Sequence, residues 1–474
     1  MGYELLGAEI LTAVIGLLVL VMGLLFSENS KGTAAGIAIP GLLAVLVWVA
    51  LNFHHQAVFF GGVYQIDSYG SFFKMLFLTA ALLIFFMSGK YSEAFGDRGG
   101  EWYSFIIFAT MGMMVMACSG DLITLYVGLE VMTVSFYILS AYLIKDVLSA
   151  EAGLKYLIMG ALSSAVLLFG MSLIYAVTGS TVFTAIGETL RTAEGVQPAL
   201  VAGIILLVAG FGFKISVVPF HMWVPDIYQG APTPVTAYLA VASKAAAFAA
   251  LVRVFRIALP LDQFNWTLVL ALLAAVTMVV GNLIALVQQN LKRLLAYSSI
   301  AQAGYILVGL VANNAYGLKG VLFYAMVYVF ANVGAFAVAT AVEVDTGSTE
   351  IKAASGLGQR SPLLAAVMTA CLLSLAGIPP LAGFPGKFYL FSGAVQAGYL
   401  WLAFLGLVMS MISVYYYLNV ARVMYTEASQ KETPLTLQLQ ARLAILACLL
   451  GTVIMGLYPA PLSRLAETAI RPLF

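Results

Sequence analysis

The stretch FGFKISVVPFHMWVPDIYQGAP, residues 211–232, sets Lys214 in an apolar run and then interrupts that run with Pro219 and Pro225. Proline removes a backbone donor and breaks a helix. At membrane depth such a break is tolerated only beside protein or a water-filled cavity. A second stretch of the same kind, LLSLAGIPPLAGFPGKFYLF at 372–391, carries Lys387 beside Pro379, Pro380 and Pro385, with Gly377, Gly383 and Gly386 around them. Paired interrupted spans in corresponding halves of a membrane protein are the sequence pointer to inverted repeats.

The rest of the chain supports a membrane reading. Of its 474 residues 62% are hydrophobic and 9% charged, far from the roughly 25% charged composition of soluble domains. A soluble enzyme is excluded, and a net charge of +1 with scattered Lys and Arg gives no field for nucleic acid. A bilayer core about 30 Å thick takes roughly 20 apolar residues per helix. Runs of that length fall at 4–26, 33–52, 69–90, 102–119, 121–144, 153–178, 198–220, 233–256, 265–288, 293–314, 318–343, 361–400, 401–425 and 440–460. None has the short alternating pattern of a membrane β-barrel. The expected fold is an all-α polytopic membrane protein of about 14 spans in a single bundle, 1–474. Helices 7 and 12 are broken, and two inverted five-helix repeats cover spans 4–8 (102–256) and spans 9–13 (265–425).

Placing both termini outside puts twelve Lys and Arg, among them Lys90, Lys145, Lys292 and Arg360, in cytoplasmic connections or at their helix edges, against six on the other side. The positive-inside bias selects this orientation. The cysteines, Cys118, Cys371 and Cys448, lie singly in apolar runs, and there are three histidines and no phosphate-binding loop. Metal and iron–sulfur sites need clustered ligands. No cofactor or metal is expected in this chain, so any redox centre belongs to a partner.

Four lysines fall inside spans: Lys74, Lys214, Lys244 and Lys387. An intramembrane charge costs at least about 2.5 kcal/mol, so such groups face a bundle interior and mark ion paths. Glu130 lies nine residues into the fifth span with Tyr126, Thr133 and Tyr137 on its face. Lys244, eleven residues into the eighth span, cannot easily snorkel to the headgroups, and Ala237, Ala240 and Ala247 on its face suit close helix packing. Low dielectric favours the neutral amine, which makes Lys244 a candidate proton carrier rather than a fixed cation. Polar stripes, Ser298, Gln302 and Tyr305 in the tenth span and Tyr324, Tyr328 and Asn332 in the eleventh, could line a water chain between Lys244 and Lys387 or simply join helices. A static buried ion pair is the competing reading of Glu130, Lys214 and Lys244. Snorkelling is expected of Lys74, a helix-end position competes for Lys387, and His221 either relays protons or bonds a loop carbonyl.

Several segments carry a family resemblance: GLEVMTVSFYILSAYL around Glu130, SAEAGLKYLIMGALSSAVLLFG at 149–170, FKISVVPFHMWVPDIYQGAPTPVTAYLAVASKAA at 213–246, NLKRLLAYSSIAQAGY from Asn290 and LAGIPPLAGFPGKF from Leu375. They resemble the antiporter-like membrane subunits of bacterial proton-pumping NADH:quinone oxidoreductase, respiratory complex I. Lysine at 387 and the short tail after the last span fit the N-type branch. The resemblance implies Glu130 as the carboxylate that modulates Lys214, Lys244 as the central relay, Lys387 as the distal proton site and Lys155 as an additional charged site. It also implies partner membrane subunits, and NADH, FMN, iron–sulfur clusters and quinone held by partners. The alternatives are a subunit of a cation/proton antiporter, or of a related ferredoxin- or hydrogen-linked energy-converting complex.

Overall fold

The computed structural model describes residues 3–25, 30–89, 91–192, 195, 197–259, 265–429, 431 and 433–474; Lys90, counted above with the cytoplasmic cations, lies outside them. Among the described residues thirteen helices are long and apolar enough to cross a membrane. The twelfth expected span, 361–400, is split into Pro362–Ala376 and Gly383–Gln396. The seventh is also split: Pro198–Ile215 ends early, and Trp223–Gly230 follows after a break. At both breaks a residue with positive φ, Ser216 (65°) or Gly377 (87°), turns its N–H back onto carbonyls of the last helical turn. That left-handed cap closes the first half-helix before the prolines redirect the chain.

The sixth and eleventh spans, Val147–Thr178 and Ala315–Thr346, run 32 residues each, well past the expected 153–178 and 318–343. Their extra turns carry Ser, Glu and Asp, which reads as loop in a hydropathy pattern. Caps from Asp146 and Asn314 and left-handed Gly179 and Gly347 hold those turns helical.

The two five-span sets mirror one another. At the start of the fifth span, Leu122 N–H donates to Thr181 O and Phe183 N–H to Gly120 O, both at 2.9 Å. At the start of the tenth, Leu291 N–H donates to Thr349 O and Ile351 N–H to Gln289 O, both at 2.8 Å. Because successive spans alternate in direction, these equivalent clasps sit at opposite ends of the bundle. The end that gathers Tyr91, Asp146, Thr233, Lys292 and Glu343 carries most of the connections rich in Lys and Arg, and is called the cation-rich end below.

The eighth span (Thr233–Ala258) is buried all round, and the tenth (Leu291–Ala312) and eleventh nearly so, while the first, second and last present wide apolar faces outward. A helix covered on every side is a core helix. Close approach is secured by small residues: a Cβ at Gly112 would stand 2.6 Å from Gly128 O of the fifth span.

Lys74 does not snorkel. It is buried in the third span (Ser68–Met87) and pairs with Glu9, which also accepts from Tyr64 OH at 2.6 Å. Arg253 is likewise buried, gripping both oxygens of Asp67 at 3.0 and 2.9 Å. The hairpin 57–66 and the amphipathic helices Phe183–Thr192 and Ala460–Ile470 were outside the sequence reading.

Candidate functional site

The fifth span, Leu122–Ser140, is capped by Asp121, whose carboxylate accepts from Thr124 N–H at 2.8 Å. That sets Glu130 two turns into the bundle, where its Oε1 is buried with no hydrogen-bond partner. Lys214 sits in the last turn of its half-helix, at the negative end of the helix dipole. Its amine donates to Thr133 Oγ1 at 3.1 Å, one turn from Glu130 on the same face. Among the described residues no carboxylate lies within 4.0 Å of Lys214. Glu130 and Lys214 thus share a region of the bundle without an ion pair between them, and Thr133 takes the amine.

Lys244 follows a π-helical turn, Leu239–Ser243, in the eighth span. Such a turn widens the helix and often marks functional sites. The amine donates to Ser299 Oγ at 2.8 Å and Ser299 O at 3.1 Å, and lies 5.7 Å from the centre of the Tyr228 ring. A cavity of about 10 Å3, room for about one water, joins Lys244 to Ser299, Gln302 and Tyr328.

Beyond that cavity the polar stripes close into a cluster. Gln302 Nε2 donates to Leu375 O at 3.0 Å, a carbonyl freed by the break in the twelfth helix, and to Tyr417 OH at 3.3 Å. Tyr324 OH donates to Gln302 Oε1, and Ser298 shares a hydrogen bond with Tyr417. Lys387 sits just past the break, donating to Ser410 Oγ at 2.7 Å and Ala376 O at 3.1 Å. The centre of the Tyr305 ring lies 4.3 Å from its amine, and Tyr305 OH is held by Asn282. Lys387 also lies at the floor of an apolar groove of about 630 Å3 between its half-helix and the thirteenth span, Leu400–Thr426.

The structure thus brings Glu130 and Lys214 into one region, and Lys244 towards Lys387 through Gln302. Lys155 is elsewhere: 41% exposed at the cation-rich end, paired with Glu151 at 2.7 Å and with Asp226 at 2.8 Å, which Arg293 also grips at 2.9 Å. His221 is buried in the break of the seventh helix, its Nδ1 unpartnered. Sequence reasoning missed Ser299, Ser410, Asn282 and Tyr417. Asn282, a carboxamide within an apolar span, was the one with a usable signal.

Comparison with known proteins gives consistent matches. The family described as NADH:quinone oxidoreductase/Mrp antiporter, TM matches residues 119–413. The chain is 51% identical to NADH-quinone oxidoreductase subunit N of Heliobacterium modesticaldum, with 100% of each chain covered. Among solved structures, a chain of respiratory complex I from Thermus thermophilus with bound aureothin matches with a TM-score of 0.83 and 34% identity, over 97% of this chain and 99% of that one. A chain of the Mrp complex from Dietzia sp. matches with a TM-score of 0.84 at 24% identity, over 100% of this chain and 98% of the other, a likeness of fold alone.

Proposed function

Because this chain belongs to the NADH:quinone oxidoreductase/Mrp antiporter family, we propose that it is the proton-translocating membrane subunit of an NADH:quinone oxidoreductase, working beside other membrane subunits of complex I. Identity of 51% over the full length of a complex I relative favours this over the cation/proton antiporter, to which the likeness is one of fold. NADH, FMN, iron–sulfur clusters and quinone are assigned to partner subunits. We place the chain in the bacterial cell membrane with its cation-rich end in the cytoplasm and both termini outside. The two inverted repeats are assigned to 102–256 and 265–425 on the strength of their equivalent clasps and breaks.

One observation carries the mechanism: Lys214, Lys244 and Lys387 are buried, and among the described residues none has a carboxylate within 4.0 Å; each donates to hydroxyl or carbonyl oxygens. A fixed cation in low dielectric requires a counter-charge, whereas a group that gains and loses a proton does not. Glu130 acts as the modulating carboxylate. Redox chemistry in the partners alters the charge near it, a Glu130–Lys214 pair closes or parts, and protons hop from amine to amine. Moving one proton against 100 mV costs about 2.3 kcal/mol. Coulomb interaction across about 5 to 8 Å at an effective dielectric of about 20 supplies about 2 to 3 kcal/mol, so one closing pair is of the right size. His221 and Lys155 are assigned lesser roles, in the break and at the cytoplasmic surface.

The test is NADH-driven acidification of inverted membrane vesicles with Lys214→Ala, after showing that the complex assembles and oxidises NADH. Sharp loss of pumping is expected. Full pumping would remove Lys214 from the relay and favour a purely connecting role for the chain.

A further inference from the structure

Two charged residues at the cation-rich end lie outside the relay just described. Lys292, in the first turn of the tenth span, is buried as deeply as the relay lysines and donates to Ala231 O at 2.7 Å. Among the described residues no carboxylate lies within 4.0 Å of it. Glu343, near the end of the eleventh span, is half-buried and accepts from Thr233 Oγ1, the first side chain of the eighth span. Glu343 is therefore open to the aqueous side yet docked on the helix that carries Lys244.

Each of these residues heads a polar face that leads inward. Lys292 and Ser299 are seven residues apart on one face of the tenth span, about 10 Å along its axis, and Ser299 is the residue that holds the Lys244 amine. Glu343, Asn332 and Tyr328 share one face of the eleventh span, and Tyr328 lines the cavity at Lys244. Between the two faces the polar atoms are unmet. Neither amide atom of the fully buried Asn332 has a partner. The hydroxyls of Tyr228 and Tyr328 gather about Ser299 without completing a hydrogen bond. Buried polar groups are paired with protein or with water, and Tyr328, one of these residues, lines the water-sized cavity at Lys244.

We propose that Glu343 and Lys292 form the entry by which Lys244 is reloaded with protons from the cation-rich face. The inference rests on the reading of Lys244 as a proton relay. In each cycle one proton passes from the aqueous phase to the Glu343 carboxylate, from that carboxyl group to Lys292, and through water held by Tyr228, Asn332 and Tyr328 to the neutral Lys244 amine. The groups facing Glu343 are Thr233 of the eighth span, Tyr91 of the connection after the third, Lys292 of the tenth and, further off, Asp146 at the head of the sixth. Asp345, two residues on, is taken up by Arg360 and Lys431.

The test uses the assembled complex in inverted vesicles, whose outer medium bathes this face, and reads protons moved per NADH oxidised in Glu343→Gln. A collecting carboxylate matters most where protons are scarce. Pumping by the variant should fall at least about threefold in alkaline medium and recover when the outer proton concentration is raised about a hundredfold. Glu343→Asp should restore it at both pH values. Wild-type pumping by Glu343→Gln throughout, or a loss independent of pH, overturns the proposal. Should Glu343→Gln fail to assemble, Lys292→Gln, which keeps a donor for Ala231, must show the same pH-dependent deficit, and its absence overturns the proposal equally. Lys244→Met in parallel separates the two readings. If it stops pumping while Glu343→Gln pumps normally, the entry alone falls; if it pumps fully, the relay falls and the entry with it.

Discussion

Lys244→Met is the sharpest perturbation of the relay because the structure predicts that it leaves folding nearly untouched. The amine has no carboxylate to abandon, and Ser299 Oγ keeps its bond to Ala296 O at 2.8 Å after the change. A side chain of similar length and greater apolarity replaces lysine in a wholly buried helix, a swap that should cost less than about 1.5 kcal/mol. Its effect on transport should be far larger. Without the amine, a proton crossing the centre of the bundle must exist there as an excess charge, at a cost of at least about 2.5 to 3.5 kcal/mol. That slows passage by about 70- to 400-fold. The assay is acidification of inverted vesicles normalised to NADH oxidation, with assembly checked on native gels. The share of pumping that runs through this chain should vanish while the complex stays intact. An assembled variant with an unchanged ratio of protons to NADH would refute the reasoning outright.

Other substitutions should sort in the opposite sense. Lys74→Met leaves Glu9 as a buried, uncompensated charge and should cost about 3 to 5 kcal/mol; thermal unfolding in detergent should show the loss, and Glu9→Gln in the same chain should recover much of it. Gly112→Leu puts a side chain where a Cβ already stands 2.6 Å from Gly128 O; the fourth and fifth spans must part, costing about 1 to 3 kcal/mol or more, read as a lower melting temperature or failed assembly. Lys155→Ala removes only exposed ion pairs, worth about 1 kcal/mol or less. It should retain most pumping in the vesicle assay, and a loss as deep as that of Lys214→Ala would move Lys155 into the relay.

The fold was largely legible because its decisive signals are local. Apolar runs of fixed length, and prolines beside Lys214 and Lys387, report spans and breaks without reference to anything distant. Glu130, Lys214, Lys244 and Lys387 were visible for the same reason: a charge inside an apolar run needs explaining wherever it occurs. What failed depended on distant partners. Lys74 lies early in its span and reads as a snorkelling lysine, while the residue that draws it inward, Glu9, belongs to another helix. Ser299, Ser410 and Tyr417 are residue types that serve equally as helix packing, so only the arrival of an amine or a carboxamide gives them a role. The π-turn before Lys244 has no signature in LAVAS.

The buried cations divide by what they touch, and the division matches the roles proposed for them. Lys74 and Arg253 meet carboxylates, Glu9 and Asp67, and each pair ties the third span to a neighbour, the first span or the eighth. Lys214, Lys244, Lys292 and Lys387 donate hydrogen bonds only to hydroxyls and carbonyls. A structural cation gains from a permanent counter-charge, since its own charge never leaves. A proton carrier would be trapped by one: each carboxylate in contact deepens the charged state by several kcal/mol and slows release about tenfold for every 1.4 kcal/mol. Neutral oxygens solvate the ammonium enough to let it form and hold it weakly enough to let the proton go. Glu130, close to Lys214 but not in contact with it, is the intermediate case. Under the proposed function, its charge is the one brought to bear or withdrawn as the gate on proton transfer.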